Sequence, residues 1–218
     1  VENRRAVIFV NGIVQDYTWL RQHLREDDYL IGADGGARHC LALDLLPHVV
    51  VGDMDSLPAT VLTELIEKGV AVERHPVHKD KTDLELAIER AVRDGATEVI
   101  LLGALGGRLD QTLANLLVSA RRDWPVPILL ADGHQTAQVL RGGEQFTLTN
   151  PVGSLVSVVP LSQTVTGITY TGLEYPLTDA TLTLGSTRGI SNHIAHSPAT
   201  IFIESGVLLV VQEEIRCA

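Results

Sequence analysis

Cysteine is almost absent from this 218-residue chain: Cys40 and Cys217 lie near opposite ends. Two such distant thiols suggest neither a disulfide framework nor a metal knuckle, and they fit a reducing compartment. Long apolar runs are also missing, and none approaches the ~20 residues of a membrane span. Val1-Glu2-Asn3-Arg4-Arg5 leads straight into a strand-like run, so no signal peptide is expected. No cluster of Lys or Arg stands out, and 27 acidic against 17 basic residues leave a net charge of −10. That balance argues against a nucleic-acid partner, and it suits a polyanionic substrate only where local cations neutralise the site. Covalent catalysis lacks a candidate, because there is no Gly-x-Ser-x-Gly elbow and neither cysteine has an activating context. His75/His78 and His193/His196 are pairs without a third ligand, so zinc is not expected. The expectation from these absences is a soluble cytoplasmic protein.

What is present has two textures. Up to about Asp132, short apolar strands alternate with helical periodicity: Ala6–Val10, Tyr29–Ala33, Val49–Val51, Val70–Val72, Glu98–Leu102 and Ile128–Leu130 read as strands. Between them, helices are expected around Trp19, Leu20 and Leu24, through Leu41 and Leu43, over Val61–Ile66, over Leu84–Ala91, and at Leu113–Leu117. Ser56 has the place of an N-cap with Pro58 in the first turn, and Thr82 and Glu85 have capping-box spacing. Such alternation implies an α/β fold, a mainly parallel, Rossmann-like sheet with flanking helices. After Asp132 the pattern becomes short alternating runs such as Gln145–Thr149, Ser154–Pro160, Ile168–Thr171, Ala180–Leu184, Thr200–Ile203 and Gly206–Val211. These predict a C-terminal antiparallel β-sandwich or barrel, with domains over 1–135 and 136–218.

Chemistry gathers at the strand ends. In Gly52-Asp53-Met54-Asp55-Ser56 an extended backbone would turn Asp53 and Asp55 to one face, and a hard divalent cation such as Mg²⁺ would relieve their repulsion. Read alone, the same stretch is also a turn followed by a helix cap. In a parallel sheet, ligands bind outside the carboxyl ends of the strands. Asp34, Asp53 and Asp55, Asp80 and Asp83, and Arg108 and Asp110 all fall at that edge, which favours the metal reading. The Gly103–Asp110 loop, with Gly106 and Gly107, offers backbone N–H groups and a helix N-terminus to phosphate. Lys79, Lys81 and Arg108 would balance the charge of a nucleotide polyphosphate held through Mg²⁺.

Ala33-Asp34-Gly35-Gly36-Ala37, Gly52–Ser56, Asp80-Lys81-Thr82-Asp83 and Gly103–Gln111 with Asn115 resemble, in order and spacing, the catalytic domain of the thiamine pyrophosphokinases. Gly172–Leu177 and Gly185 through Ser191-Asn192 are similar to that family's thiamine-binding β domain. The resemblance implies transfer of the terminal diphosphate of ATP to the hydroxyethyl oxygen of thiamine. It implies that Asp53, Asp55 and Asp83 hold Mg²⁺, with Asp80 and Asp110 beside them and Asp34 and Gly35 on the nucleotide. Lys81 and Arg108 would contact phosphate, and Gln111 and Asn115 would support the loop. Asp83 or Asp110 would accept the substrate proton. Tyr175, Ser191 and Asn192 would bind thiamine, across the interface of a homodimer. The family often has His at the position of Gln111, and some members have Trp at that of Tyr175. The competing expectations are a pyrophosphokinase of the same fold acting on another heterocyclic alcohol, such as a hydroxymethylpterin, or a non-catalytic thiamine- or nucleotide-binding protein.

Overall fold

Six strands form the centre of the first half: β1 (Arg5–Phe9), β2 (Tyr29–Ala33), β3 (Val49–Gly52), β4 (Ala71–Arg74), β5 (Glu98–Leu102) and β6 (Ile128–Asp132). The computed structural model describes residues 4–121 and 123–215, so Val1–Asn3 and Cys217 lie outside the described residues. The chain divides into two units, one ending at Gly133 and the other starting at His134, slightly ahead of the break expected after residue 135. In the first unit every strand pairing is parallel, in the order β6-β5-β1-β2-β3-β4. β1, β2, β3 and β5 are buried almost throughout, as strands covered on both faces must be. The chain runs outward from β1 through β2 to β4 and then returns to β5 on its other side. The switch point therefore lies at the carboxyl ends of β1 and β5, where open α/β sheets place their crevice.

Five helices connect these strands: α1 (Tyr17–Gln22), α2 (Ala37–Ala42), α3 (Ala59–Glu67), α4 (Asp83–Arg93) and α5 (Leu109–Ser119). In α4, Thr82 Oγ1 accepts from the Glu85 N–H at 3.2 Å, and Leu84, Ala87, Ile88 and Ala91 are its buried stripe. The reciprocal half of the capping box is not made, because the Glu85 carboxylate pairs with Arg121 instead. The expectation for Ser56 fails. Pro58 is the N-cap of α3, and the Ser56 hydroxyl donates to Asp55 Oδ1 at 3.0 Å. In α5 the interior face carries Asn115 and Ser119, while Leu109, Leu113 and Leu117 point outward.

The second unit is a sandwich of β7 (Gln135–Arg141), β8 (Gln145–Leu148), β9 (Leu155–Pro160), β10 (Thr164–Thr171), β11 (Ala180–Thr183), β12 (Asn192–His193), β13 (Ala199–Phe202) and β14 (Val207–Glu213). Its antiparallel pairings run β12-β9-β14-β7 in one layer and β11-β10-β13-β8 in the other. Leu148, Val156, Ile168, Ile194, Ile201 and Leu208 belong to the core of this unit. β10 starts earlier than the expected Ile168, because its register shifts between Val165 and Ile168, where Gly167 has φ +65°. Such a bulge breaks the alternation by which a strand is recognised. Among the described residues no helix is long and apolar enough to cross a membrane.

Candidate active site

At the carboxyl edge of the parallel sheet lies a cavity of about 480 Å³. The residues after β1 (Asn11–Ile13), β2 (Asp34), β3 (Asp53, Asp55) and β5 (Gly106–Arg108) line it, with Lys79, Lys81, Thr82 and Asp83 at the start of α4. Of the expected nucleotide and metal residues, Asp34, Asp53, Asp55, Lys81, Asp83, Gly106, Gly107, Arg108, Gln111 and Asn115 all reach this lining. Gly35, Asp80 and Asp110 do not. Gly35 instead packs under the β1–α1 loop, where a Cβ would stand 2.6 Å from Asn11 Oδ1.

The carboxylates converge differently from the expectation. Met54 takes φ +67°, so the backbone between Asp53 and Asp55 is not extended, and Asp55 is not among the three carboxylates that come together. Asp55 is exposed and bonded to Ser56. Its place in the cluster is taken by Asp34: one oxygen each of Asp34, Asp53 and Asp83 lies within 4.8 Å of the others. Gly52 permits this approach, since a Cβ there would meet Asp34 Cβ at 2.9 Å and Asp83 Oδ1 at 3.0 Å. Lys79 closes the cluster, with Nζ 3.0 Å from both Asp53 Oδ2 and Asp83 Oδ1. Its hydrogen bond holds the Asp53 carboxyl below the usual carboxylate range. Asp83 is pushed upward by burial, with the charges of Asp53 and Asp34 adding and Lys79 opposing. Asp34 Oδ1 is buried without a hydrogen-bond partner. An all-oxygen donor set containing an orphaned carboxylate oxygen fits a hard divalent cation.

The glycine loop faces this cluster. Gly106 and Gly107 have φ +80° and +77°, which a side chain would strain. Asn115, buried in α5, donates from Nδ2 to Ala104 O at 2.6 Å and so pins the loop. The N-cap of α5, Arg108, makes no side-chain capping bond, and a helix N-terminus of this kind suits an anion. Arg108 is exposed and bonded through Nε and Nη2 to Asp110, whose carboxyl it holds low. Lys81 is turned to Glu89 at 2.6 Å rather than to the carboxylates.

Two features escaped the sequence reading. Asn11-Gly12 looked like an ordinary turn, yet it lies beside the crevice because β1 is central. Behind it, His39 Nε2 lies 3.1 Å from Gly12 O and Nδ1 lies 2.7 Å from the Tyr17 hydroxyl. A carbonyl only accepts, so Nε2 carries the proton and Nδ1 accepts from Tyr17. Burial, and then the Arg38 charge, push the His39 pKa down.

A second pocket, of about 320 Å³, belongs wholly to the β unit and brings together Tyr175, Ser191 and Asn192 with Tyr170 and Arg188. Tyr175 is 61% exposed. Asn192 is committed to holding it: Nδ2 donates to Tyr175 O at 2.8 Å and Oδ1 accepts from Tyr175 N at 3.0 Å. Ser191 sits at φ +61°, its N–H donating to Ser157 Oγ at 3.0 Å. Strain of that kind collects at functional sites.

Comparison with known proteins agrees with both halves. Residues 20–126 match the family described as "Thiamin pyrophosphokinase, catalytic domain", and residues 145–208 match "Thiamin pyrophosphokinase, vitamin B1 binding domain". Thiamine pyrophosphokinase of Bacillus subtilis (strain 168) is 30% identical over 183 residues, 84% of this chain and 86% of that protein. The crystal structure of thiamin pyrophosphokinase from Geobacillus thermodenitrificans aligns with a TM-score of 0.83 at 31% identity, covering 98% of this chain and 99% of that one. The yeast thiamin pyrophosphokinase structure aligns at 0.80 with 14% identity, covering 98% and 87%, and speaks for the fold alone. Parallel sheet, glycine loop, carboxylate cluster and β-sandwich pocket thus coincide with two matched domains, and the chain belongs to the thiamine pyrophosphokinase family.

Proposed function

We propose that this protein transfers the terminal diphosphate of ATP to the hydroxyethyl oxygen of thiamine, giving AMP and thiamine diphosphate. The observation that carries the reading is the Asp34-Asp53-Asp83 cluster facing a capless helix N-terminus across one cavity. Asp34, Asp53 and Asp83 would hold Mg²⁺, with Asp55 at the same rim. When bound, the cation supplies charge neutralisation and polarises the phosphoryl group under attack. The protein's own contribution is orientation and fixed charge. The N-terminus of α5 binds phosphate oxygens. Lys79, Lys81 and Arg108 stabilise the charge that builds on the departing AMP. Asp83 or Asp110 takes the substrate proton; without a cation bound, burial raises Asp83 while Arg108 depresses Asp110.

The β-unit pocket is lined by an arginine and by no carboxylate, which favours the neutral aminopyrimidine over the cationic thiazolium. Ser191 presents its hydroxyl to that ring, and Asn192 acts through the tyrosine that it holds. The reading includes a homodimer, with thiamine between one subunit's catalytic domain and its mate's β domain, for which the outward leucines of α5 offer apolar surface. It also includes a cytoplasmic setting, consistent with Cys40 as a buried free thiol. The test is direct. Purified protein with Mg²⁺, ATP and thiamine is expected to release AMP with thiamine diphosphate, faster than with a hydroxymethylpterin as acceptor. Absence of AMP would refute the proposal, and preference for the pterin would reassign the acceptor.

A further inference from the structure

The β-unit pocket contains one group that the fold leaves without an interaction. Tyr170, on β10, is only 6% exposed and packs among Ile168, Leu177 and Ile201 in the core. Its backbone N–H donates to Leu177 O at 2.9 Å. Tyr170 lines the pocket together with Tyr175, Arg188 and Ser191, and its hydroxyl has no hydrogen-bond partner. A buried hydroxyl without a partner is a net loss to a fold, and phenylalanine would fill the same ring space without that loss. The polar neighbours do not relieve it. The Asn192 amide is bonded to the Tyr175 backbone, and Arg188, also at this pocket, makes no hydrogen bond to the phenol. Burial keeps the phenol above its ordinary range, with Arg188 opposing weakly, so it stays protonated and can both donate and accept.

We infer that the Tyr170 hydroxyl is a specificity-determining contact, hydrogen-bonded to the polar edge of the heterocycle that seats in this pocket. The inference rests on the proposed function for the identity of that heterocycle, an aminopyrimidine. Its ring nitrogens accept and its exocyclic amino group donates, and a phenol pairs with either. A site that hydrogen-bonds its ligand in this way rejects isosteric analogues lacking the partner atom, because the buried group is then left unpaired.

The experiment uses full-length Tyr170→Phe. Thiamine binding by calorimetry and the KM for thiamine are expected to weaken about tenfold, one hydrogen bond's worth. The KM for ATP should stay as in wild type, and the Tm of the ligand-free protein should be unchanged or higher. Thiamine analogues with CH in place of N1′ or N3′, or with hydrogen in place of the amino group, identify the atom contacted. Wild type should discriminate against one of them, and Tyr170→Phe should lose that discrimination. Thiamine affinity unchanged in the variant overturns the inference. So does a lowered Tm with an equal loss for thiamine and every analogue, which marks the hydroxyl as part of the fold. If wild type binds thiamine but forms no thiamine diphosphate, the proposed function fails while calorimetry still decides the Tyr170 contact.

Discussion

Gly52→Ala tests whether the geometry of the carboxylate cluster depends on a missing side chain. Gly52 has φ +151°, and an added methyl would stand 2.9 Å from Asp34 Cβ and 3.0 Å from Asp83 Oδ1. Gly69 is a natural control: it too has a positive φ, +85°, but nothing lies within 4 Å of the position of its Cβ. Both substitutions carry a backbone penalty of about 1 kcal/mol. Gly52→Ala adds overpacking against two converging side chains, about 2 kcal/mol more. For a chain of this size, each kcal/mol lowers Tm by about 2–4 °C, so the expected losses are about 3 °C for Gly69→Ala and about 9 °C for Gly52→Ala. Moving Asp34 and Asp83 apart by a few tenths of an ångström also spoils a site for a cation that demands near-ideal geometry. Mg²⁺ affinity, read as the Mg²⁺-dependent rise in Tm, should fall at least about tenfold in Gly52→Ala and stay unchanged in Gly69→Ala. Equal Tm losses in the two variants, with cation binding intact in both, would refute the reasoning.

Asp83→Asn should separate stability from function. Because the folded pKa of Asp83 is raised, its contribution to stability is full below the unfolded value near 4 and is lost as pH rises through the folded value. At neutral pH its charge therefore weakens the fold, and the variant should hold or raise Tm without divalent cations while losing about a hundredfold or more in turnover. A drop of several degrees would mean that the Lys79 pair outweighs burial. For His39 the sign is opposite. Its folded pKa is lowered, so its contribution is complete above the unfolded value of about 6.5 and is lost as pH falls from there toward the folded value. His39→Gln should flatten the Tm–pH curve just below pH 6.5, and an unchanged slope would exclude His39 as the titrating group.

The features legible in the sequence were those set by local spacing or by the order of elements. Leu84, Ala87, Ile88 and Ala91 declared α4, and alternation of strand and helix placed Asp34, Asp53, Asp83 and the glycine loop at one sheet edge. The partnership within the cluster was not legible, because it turns on Met54, a bulky residue in the left-handed region that no glycine announces. Ser56 failed as a cap because capping depends on where the helix starts, which Pro58 fixes two residues later. β12, two residues long, and the bulge at Gly167 carry too little pattern to be seen. An orphaned hydroxyl such as that of Tyr170 is a property of surroundings assembled from distant segments, and no spacing encodes it.

The hold of Asn192 on Tyr175 has a consequence for how the pocket wall is built. One primary amide satisfies both backbone groups of a single residue, as a neighbouring strand would, so a side chain stands in for a missing peptide unit. Aspartate has nearly the same shape but only accepts. Conversion of Asn192 to aspartate, by mutation or by spontaneous deamidation, would set a carboxylate oxygen against the Tyr175 carbonyl and turn attraction into repulsion. One fastening of the wall thus hangs on a single nitrogen atom, and the mildest change a protein chemist can draw is the one that would turn it into a repulsion.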